Sequence, residues 1–258
     1  MSVQDYCRLY LQHRPRWDKC RVAIKGEYAI KDAMQLYLPR ASGMDDDDYK
    51  GYLTRAQFFN AAGRTLDGLN GLINRKPAMY KVPKGMEKYL ENVDGRGHSL
   101  QQFVQLSVKE RLITNWGGIL LDMPKVENVK SQKEFEEQNL SAYMTLYSAE
   151  SIINWSYQNN GRRKTLKYII FREEAEIPIA DYTVELRYNY RVCEIGEDGY
   201  YQQTLYNDRN EIIDVVKPRG KYGLYKDIPF YFLPQKVTDL ITRNIRVTRH
   251  IGNIYFAM

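Results

Sequence analysis

The sequence predicts an α+β fold: N-terminal helices followed by a mainly antiparallel β-meander. Three observations point there. Apolar residues recur at three- and four-residue steps in 49–75 and again after Ser99. From residue 141 onward they recur at every second position instead, which is strand periodicity. The alternating segments are separated by short turn-forming runs: NNG at 159–161, GEDG at 196–199 and NDRN at 207–210. Helical and strand patterns thus occupy different parts of the chain, as in α+β proteins.

Residues 1–40 contain Trp17 and an Ala/Ile/Lys spacing from Ala23 to Met34 that predicts a short helix on either side of Gly26, ended by Pro39. Asp45 to Asp48 are four successive carboxylates. They lack the glycine and the distal glutamate of an EF-hand calcium loop, and acids just before a helix favour its positive end, so they read as a helix start. Tyr49 to Arg75 predicts the first long helix, with Tyr52, Ala56, Phe59, Gly63, Leu66, Leu69 and Ile73 on one side. Its Ala61, Ala62, Gly63, Gly68 and Gly71 imply close packing, because an interior glycine costs about 1 kcal/mol relative to alanine. Lys76 and Pro77 end it, and a short helical segment, Met86 to Asn92, leads to a polar turn from Asp94 to Gly97.

Ser99 with Gln102 three residues later is a capping box, so a helix is expected to begin there. Leu100, Phe103, Val104, Val108 and Leu112 form its apolar stripe, Lys109, Glu110 and Arg111 its exposed end, and Gly117 and Gly118 its stop. The run Ile119 to Asp122, closed by Pro124, suits a strand covered on both faces. A charged loop around KEFEEQ is expected between Lys125 and Asn139. Ile153, Trp155 and Tyr157 alternate ahead of the NNG turn, and TLKYIIFRE returns as the hairpin partner. In Tyr182 to Ile195, Val184, Leu186, Tyr188, Tyr190 and Val192 are expected on a dry face and Glu185, Arg187, Asn189 and Arg191 on a charged one. YYQQTLYN and EIIDVVKP complete a meander of five or six strands.

Composition narrows the function classes. The chain has 258 residues, enough for a substantial core, and its 22 tyrosines favour half-buried sheet surfaces and interfaces. A net charge of +6, with acidic residues interspersed among the basic ones, permits nucleic-acid contact without requiring it. Cys7, Cys20 and Cys193 are too scattered for a CxxC site and point to reduced thiols in a cytoplasmic setting. The N-terminus lacks an apolar signal core, and no run approaches the roughly 20 apolar residues of a membrane span, so the chain reads as soluble, not secreted and with no membrane partner.

Motifs for catalysis are missing from the sequence. His13, His98 and His250 lie far apart, and there is no HExxH, GxSxG, Walker loop or GxGxxG, so the expectation is no enzyme: no catalytic, cofactor-binding or metal residues and no cofactor. The best enzymatic candidate is Asp181, Glu185 and Arg187 beside Pro178, a loose echo of metal-dependent nucleases. In an alternating strand Glu185 and Arg187 share the solvated face, so charge pairing on a sheet surface explains them without chemistry, and that is the reading adopted. Basic groups available to nucleic acid are Arg162, Arg163 and Lys164; Lys217, Arg219 and Lys221; and Lys236, Arg243, Arg246 and Arg249.

YLPR (37–40), the acidic spacer, DYKGYLTRAQFFNAAGRTLDGLNGLINRKP (48–77), HSLQQFVQ, NWGGILLDMP (115–124) and YSAESIINW (147–155) follow one another in an order that resembles the portal proteins of tailed bacteriophages, particularly those of short-tailed phages and related prophages. The resemblance covers roughly 17–230. It implies a non-enzymatic virion protein, the head–tail connector: a ring, usually a dodecamer, at one capsid vertex of the virion. Implied partners are other portal subunits, the major capsid protein, the large terminase and a tail adaptor, with double-stranded DNA passing through non-specifically. Assembly would take place in the host bacterial cytoplasm.

The resemblance implies a portal-wing-like fold, divided into a helical part with the first buried strand (1–124), an antiparallel sheet region (125–232) and a divergent C-terminal tail (233–258). Glu150 and Trp155 match the family motif and are assigned structural roles, the indole as packing anchor and the carboxylate as a local hydrogen-bond or ion-pair partner. Family members are commonly longer, with stem and clip following DIPFYF (227–232), so a truncated, frameshifted or split gene or a fragment is expected. The alternatives are a monomeric portal-derived module acting on phage assembly partners, and the metal-dependent nuclease.

Overall fold

The computed structural model describes residues 2–83, 87–124, 141–161, 163–220 and 223–233. The charged segment around KEFEEQ, Met86, Arg162, Lys221, His250 and the basic groups from Lys236 to Arg249 lie outside the described residues.

The fold is α+β, helices first and strands after. The helices are α1 (Arg8–Lys25), α2 (Glu27–Asp32), α3 (Asp46–Arg55), α4 (Ala61–Ile73), α5 (Glu87–Glu91) and α6 (Leu100–Thr114). The strands are β1 (Gly118–Asp122), β2 (Tyr143–Tyr147), β3 (Ile152–Asn160), β4 (Arg163–Ala180), β5 (Thr183–Ile195), β6 (Tyr201–Tyr206), β7 (Ile212–Val216), β8 (Arg219–Gly220), β9 (Gly223–Leu224) and β10 (Phe230–Phe232). Strands β3 to β7 form an antiparallel five-stranded meander in sequence order. A second sheet, ordered β10-β1-β2, places β1 at its centre, and β8 and β9 pair with each other.

Three layers result. On one face of the meander Ile152, Ile169, Phe171, Cys193 and Tyr201 meet Leu120, Tyr147, Phe230 and Phe232 of the small sheet. On the other face Ile153, Ile170, Tyr190 and Val192 meet Tyr10 and Trp17 of α1. Trp116 and Trp155 pack against both cores, so residues of 1–124 and of 125–232 share both. Within the small sheet the Phe230 ring lies over Gly118, where an added Cβ would lie 2.0 Å from its Cζ.

Several helical expectations are corrected. The chain's first long helix is α1, which sequence periodicity does not signal because its residues are mostly polar and Pro15 lies inside it. Gly26 does separate two helices, but α2 ends at Asp32, well before Pro39. The single helix expected over 49–75 is two, because Ala56 takes an extended ψ of 132° and Asn60 begins a new N-terminus by accepting from the Gly63 N–H. Gly63 is needed against that cap, as its Cβ would lie 2.6 Å from Nδ2 of Asn60. Gly68 and Gly71 face open space and are not sites of close packing. Asp45 caps α3 by accepting from the Asp48 N–H at 2.8 Å, as the helix-start reading requires.

The capping box of Ser99 and Gln102 is present in both directions. The helix stop is not Gly117 and Gly118 but Asn115, which takes the left-handed conformation (φ 54°) one residue after Thr114. Gly118 is already strand. The buried row of α6 is Phe103, Ser107, Glu110 and Thr114; Leu112 is exposed and Glu110 is not.

The β3–β4 hairpin turns at Gly161 with Asn160 opposite Arg163, as expected from NNG. The dry-face reading of β5 holds only for Tyr190 and Val192. Val184, Leu186 and Tyr188 are exposed, Leu186 at 67%. The reason is sheet topology: β3 stops pairing at Phe171 and β6 starts at Tyr190, so beyond those points the two strands pair only with each other among the described residues. They project as a two-stranded arm ending at Asp181 and Tyr182. Arg191, expected on a solvated face, instead lies between the sheets.

Candidate functional site

The residues singled out for chemistry do not converge. His13 stacks on Trp17, and His98 Nδ1 lies 2.6 Å from Oδ2 of Asp94. Among the described residues no group of three or more His, Cys, Asp and Glu is placed to hold a metal ion. The three cysteines are free; burial pushes the Cys193 thiol up to about 12, so it is a thiol and not a nucleophilic thiolate near neutral pH. Asp181 sits at the arm's exposed tip. Glu185 is engaged by Arg187, whose Nε donates to Oε2 at 2.9 Å while its Nη1 reaches Asp208 at 3.6 Å. A shallow polar hollow at the arm's root is lined by Gln4, Glu185, Arg187, Tyr188 and Asp208.

Two half-buried ion-pair clusters, neither foreseen in full, tie the layers together. In the first, Arg21 of α1 donates from Nε and Nη2 to the two carboxylate oxygens of Glu150, both at 2.9 Å, and from Nη2 to Oε1 of Glu110. Glu110 Oε1 also accepts from the Ala149 N–H at 3.1 Å, and Tyr10 OH donates to the Glu150 carbonyl at 3.1 Å. The 3-10 turn Ala149–Ser151 is therefore clamped by α1 and α6. Burial opposes the charge on Glu150, but the hydrogen bonds and attraction of Arg21 outweigh it and hold the carboxyl below its ordinary value. Glu150 is thus an ion-pair partner across the fold, not a local one. Trp155 is a packing anchor, 5.4 Å from the Trp116 ring and 5.8 Å from that of Phe232.

In the second cluster Arg191 of β5 donates from Nε and Nη2 to Glu173 at 2.7 and 3.1 Å and from Nη1 to Gln203 at 2.9 Å. Gln203 donates to Oδ1 of Asp122 at 2.6 Å, Tyr143 OH donates to Oδ2 of Asp122 at 3.1 Å, and Tyr147 OH donates to Glu173. Burial, then the Asp122 charge, pushes the Tyr143 phenol up to about 12. Burial opposes the charge on Arg191, yet the hydrogen bonds and attraction of Glu173 more than offset it, so the guanidinium holds its proton more firmly than usual. Every side chain here already has a protein partner, which is the pattern of a structural network.

The surfaces are different. The arm carries exposed Ile179, Tyr182, Val184, Leu186 and Tyr188, and α4 exposes Leu69, Leu72 and Ile73. No family model matches this chain, and no curated protein matches it. At the opposite end of the meander Lys164 lies over the Tyr157 ring at 4.9 Å, while Lys217 is paired with Asp198 at 2.6 Å and Arg219 is exposed. Among the described residues the cations of the two hairpin regions are separated by Glu194 at the end of β5 and by Glu197 and Asp198 of the β5–β6 turn. Among the described residues no helix is long and apolar enough to cross a membrane.

Sequence reasoning missed Arg21, Glu110, Glu173 and Asp122. A signal existed for Glu110: with Ser107 and Thr114 it continues the row of Phe103 at helical spacing, so it lies on the face that the helix buries.

Proposed function

We propose that this chain is a structural virion protein, the wing portion of a phage portal, acting as one subunit of a head–tail connector ring through which DNA is packaged and ejected. The observation that carries this reading is the contrast between an interior whose charged groups are paired and two exposed apolar rows, on the arm and on α4. Interfaces between copies are built from such rows, rich in aromatic and aliphatic side chains. Half-buried ion pairs whose groups are engaged by other groups of the same chain favour a scaffold over a reaction centre. In this reading the neighbours are other portal subunits, the major capsid protein, and, with stem and clip supplied, the large terminase and a tail adaptor. Its place is the capsid vertex of the virion, after assembly in the host cytoplasm.

Light scattering on the purified chain, with negative-stain imaging of the same sample, tests the reading. Rings, or co-assembly with a longer portal chain, are the expected result. A monomer that also fails to join a longer portal chain would overturn it. Incubation with DNA and Mg²⁺ or Mn²⁺ addresses the nuclease alternative: cleavage abolished by Asp181→Ala or Glu185→Ala would replace the structural role with an enzymatic one.

A further inference from the structure

The longest strand has opposite charge at its two ends. β4 runs from Arg163 to Ala180, a distance of about 60 Å at the usual rise per residue. Its first half contributes the exposed Lys164 and Lys167, and the sequence carries no carboxylate from Ser156 to Tyr168. Its far half and the arm contribute Glu174, Glu176, Asp181 and Glu185. Arg187 of the arm is already engaged by Glu185 and Asp208, and Arg172 at its root is held over the Tyr188 ring at 4.8 Å. Glu174, Glu176, Lys164 and Lys167 are all exposed.

Strand register places the arm's features on one side. Glu174 pairs with Tyr188, Glu176 with Leu186 and Pro178 with Val184, and directly opposed residues of an antiparallel pair share a face. That face is thus an apolar row of Val184, Leu186 and Tyr188 flanked by a row of carboxylates. The β3–β4 tip offers the complement: the exposed Lys164 and Lys167 and the half-exposed ring of Tyr157 beneath Lys164.

We propose that the arm of one copy docks on the β3–β4 tip of a second copy, with Glu174 and Glu176 facing Lys164 and Lys167 and the Val184–Leu186–Tyr188 row covered by the contact. The proposal deepens the assembly reading above and rests on it for the identity of the occupant. Because the complementary patches lie at opposite ends of one strand, each copy uses a different surface toward each neighbour. Such a head-to-tail contact leaves both ends of a dimer unsatisfied and closes only as a ring or continues as a filament.

A charge-swap experiment on the full chain decides it. One variant carries Glu174→Lys with Glu176→Lys; the other carries Lys164→Glu with Lys167→Glu. All four positions are exposed, and circular dichroism checks that each variant folds. Each variant alone presents like charges at the contact and is expected to associate more than about tenfold more weakly than the unmodified chain, by light scattering at low salt. Mixed in equal amounts, the two present opposite charges at every contact, and the mass is expected to return. Recovery on mixing that disappears near roughly 1 M salt supports an electrostatic contact.

Variants that assemble as the unmodified chain does, or a mixture that stays dissociated, would overturn the arm contact. Rings persisting in both variants would leave the portal reading standing while removing this contact from it. An unmodified chain that is monomeric at every concentration would also overturn the contact, since the arm's occupant would then be a different protein. In that case co-assembly with a longer portal chain would decide the portal reading separately.

Discussion

Near its root the β4–β5 hairpin is closed on both sides: Ile169, Phe171 and Cys193 face the small sheet, and Ile170, Tyr190 and Val192 face α1. Farther out the same two strands keep their pairing and their alternation, yet Val184, Leu186 and Tyr188 face solvent. Along β5 the alternating apolar positions from Val184 to Val192 read alike in both regions, although β4 is continuously apolar only at the root, Ile169 to Phe171. What differs is whether another layer reaches them, and that is decided by where β3, β6, α1 and the β10-β1-β2 sheet end. Alternation therefore reports that a strand has two unlike faces, not that either is covered by its own chain.

The comparison can be broken most severely at the root. Arg191→Met leaves Glu173 and Asp122 between the sheets without their cation, and is expected to cost about 3–5 kcal/mol in urea unfolding. Gly118→Ala pushes a methyl group into the Phe230 ring and is expected to cost about 1–3 kcal/mol in the same assay.

Acid is expected to act on the α1 layer through Glu150. Its folded-state pKa lies below the ordinary 4.5, so the folded protein binds fewer protons than the unfolded chain there. The stabilisation is complete above that ordinary value and is lost as pH falls through the folded one. Unfolding measured from neutral to acid pH should show this decline, and Glu150→Gln should flatten it while lowering stability at neutral pH. The smallest effect belongs to the arm: Leu186→Ser or Val184→Ser should change the stability of the dissociated chain by no more than about 0.5 kcal/mol. A large loss from either would show that the arm is covered by its own chain and remove the contrast.

Local chemistry was legible in the sequence. Ser99 with Gln102, Asp45 before α3, the Gly161 turn and the strand centred on Leu120 each depend on neighbours a few residues away, and all are found. The break at Ala56 to Asn60 was also a local signal, but the apolar spacing on both sides masked it. Arg21 with Glu150 was beyond reach for a different reason. Neither residue differs in type from the many surface charges, and only the packing of α1 over the meander brings them together. The arm was readable as strand and turn, while its exposure depended on the lengths of two other strands.

The position of β1 also sets an order on synthesis. The middle strand of the small sheet is translated first and its outer strand β10 last, with Ile119 facing Tyr231. At ordinary elongation rates the ribosome needs on the order of ten seconds to add the intervening residues, about a hundred of them. Throughout that interval a nascent chain with β1 and β2 paired would hold an apolar edge, Ile119 to Leu121, without its second neighbour. The arrival of Phe230–Phe232 closes that edge, and Leu233 locks it by donating its N–H to the Gly117 carbonyl at 2.8 Å. Emergence of β10 thus gives β1 its second neighbour and removes an open edge on which nascent chains of one polysome could pair.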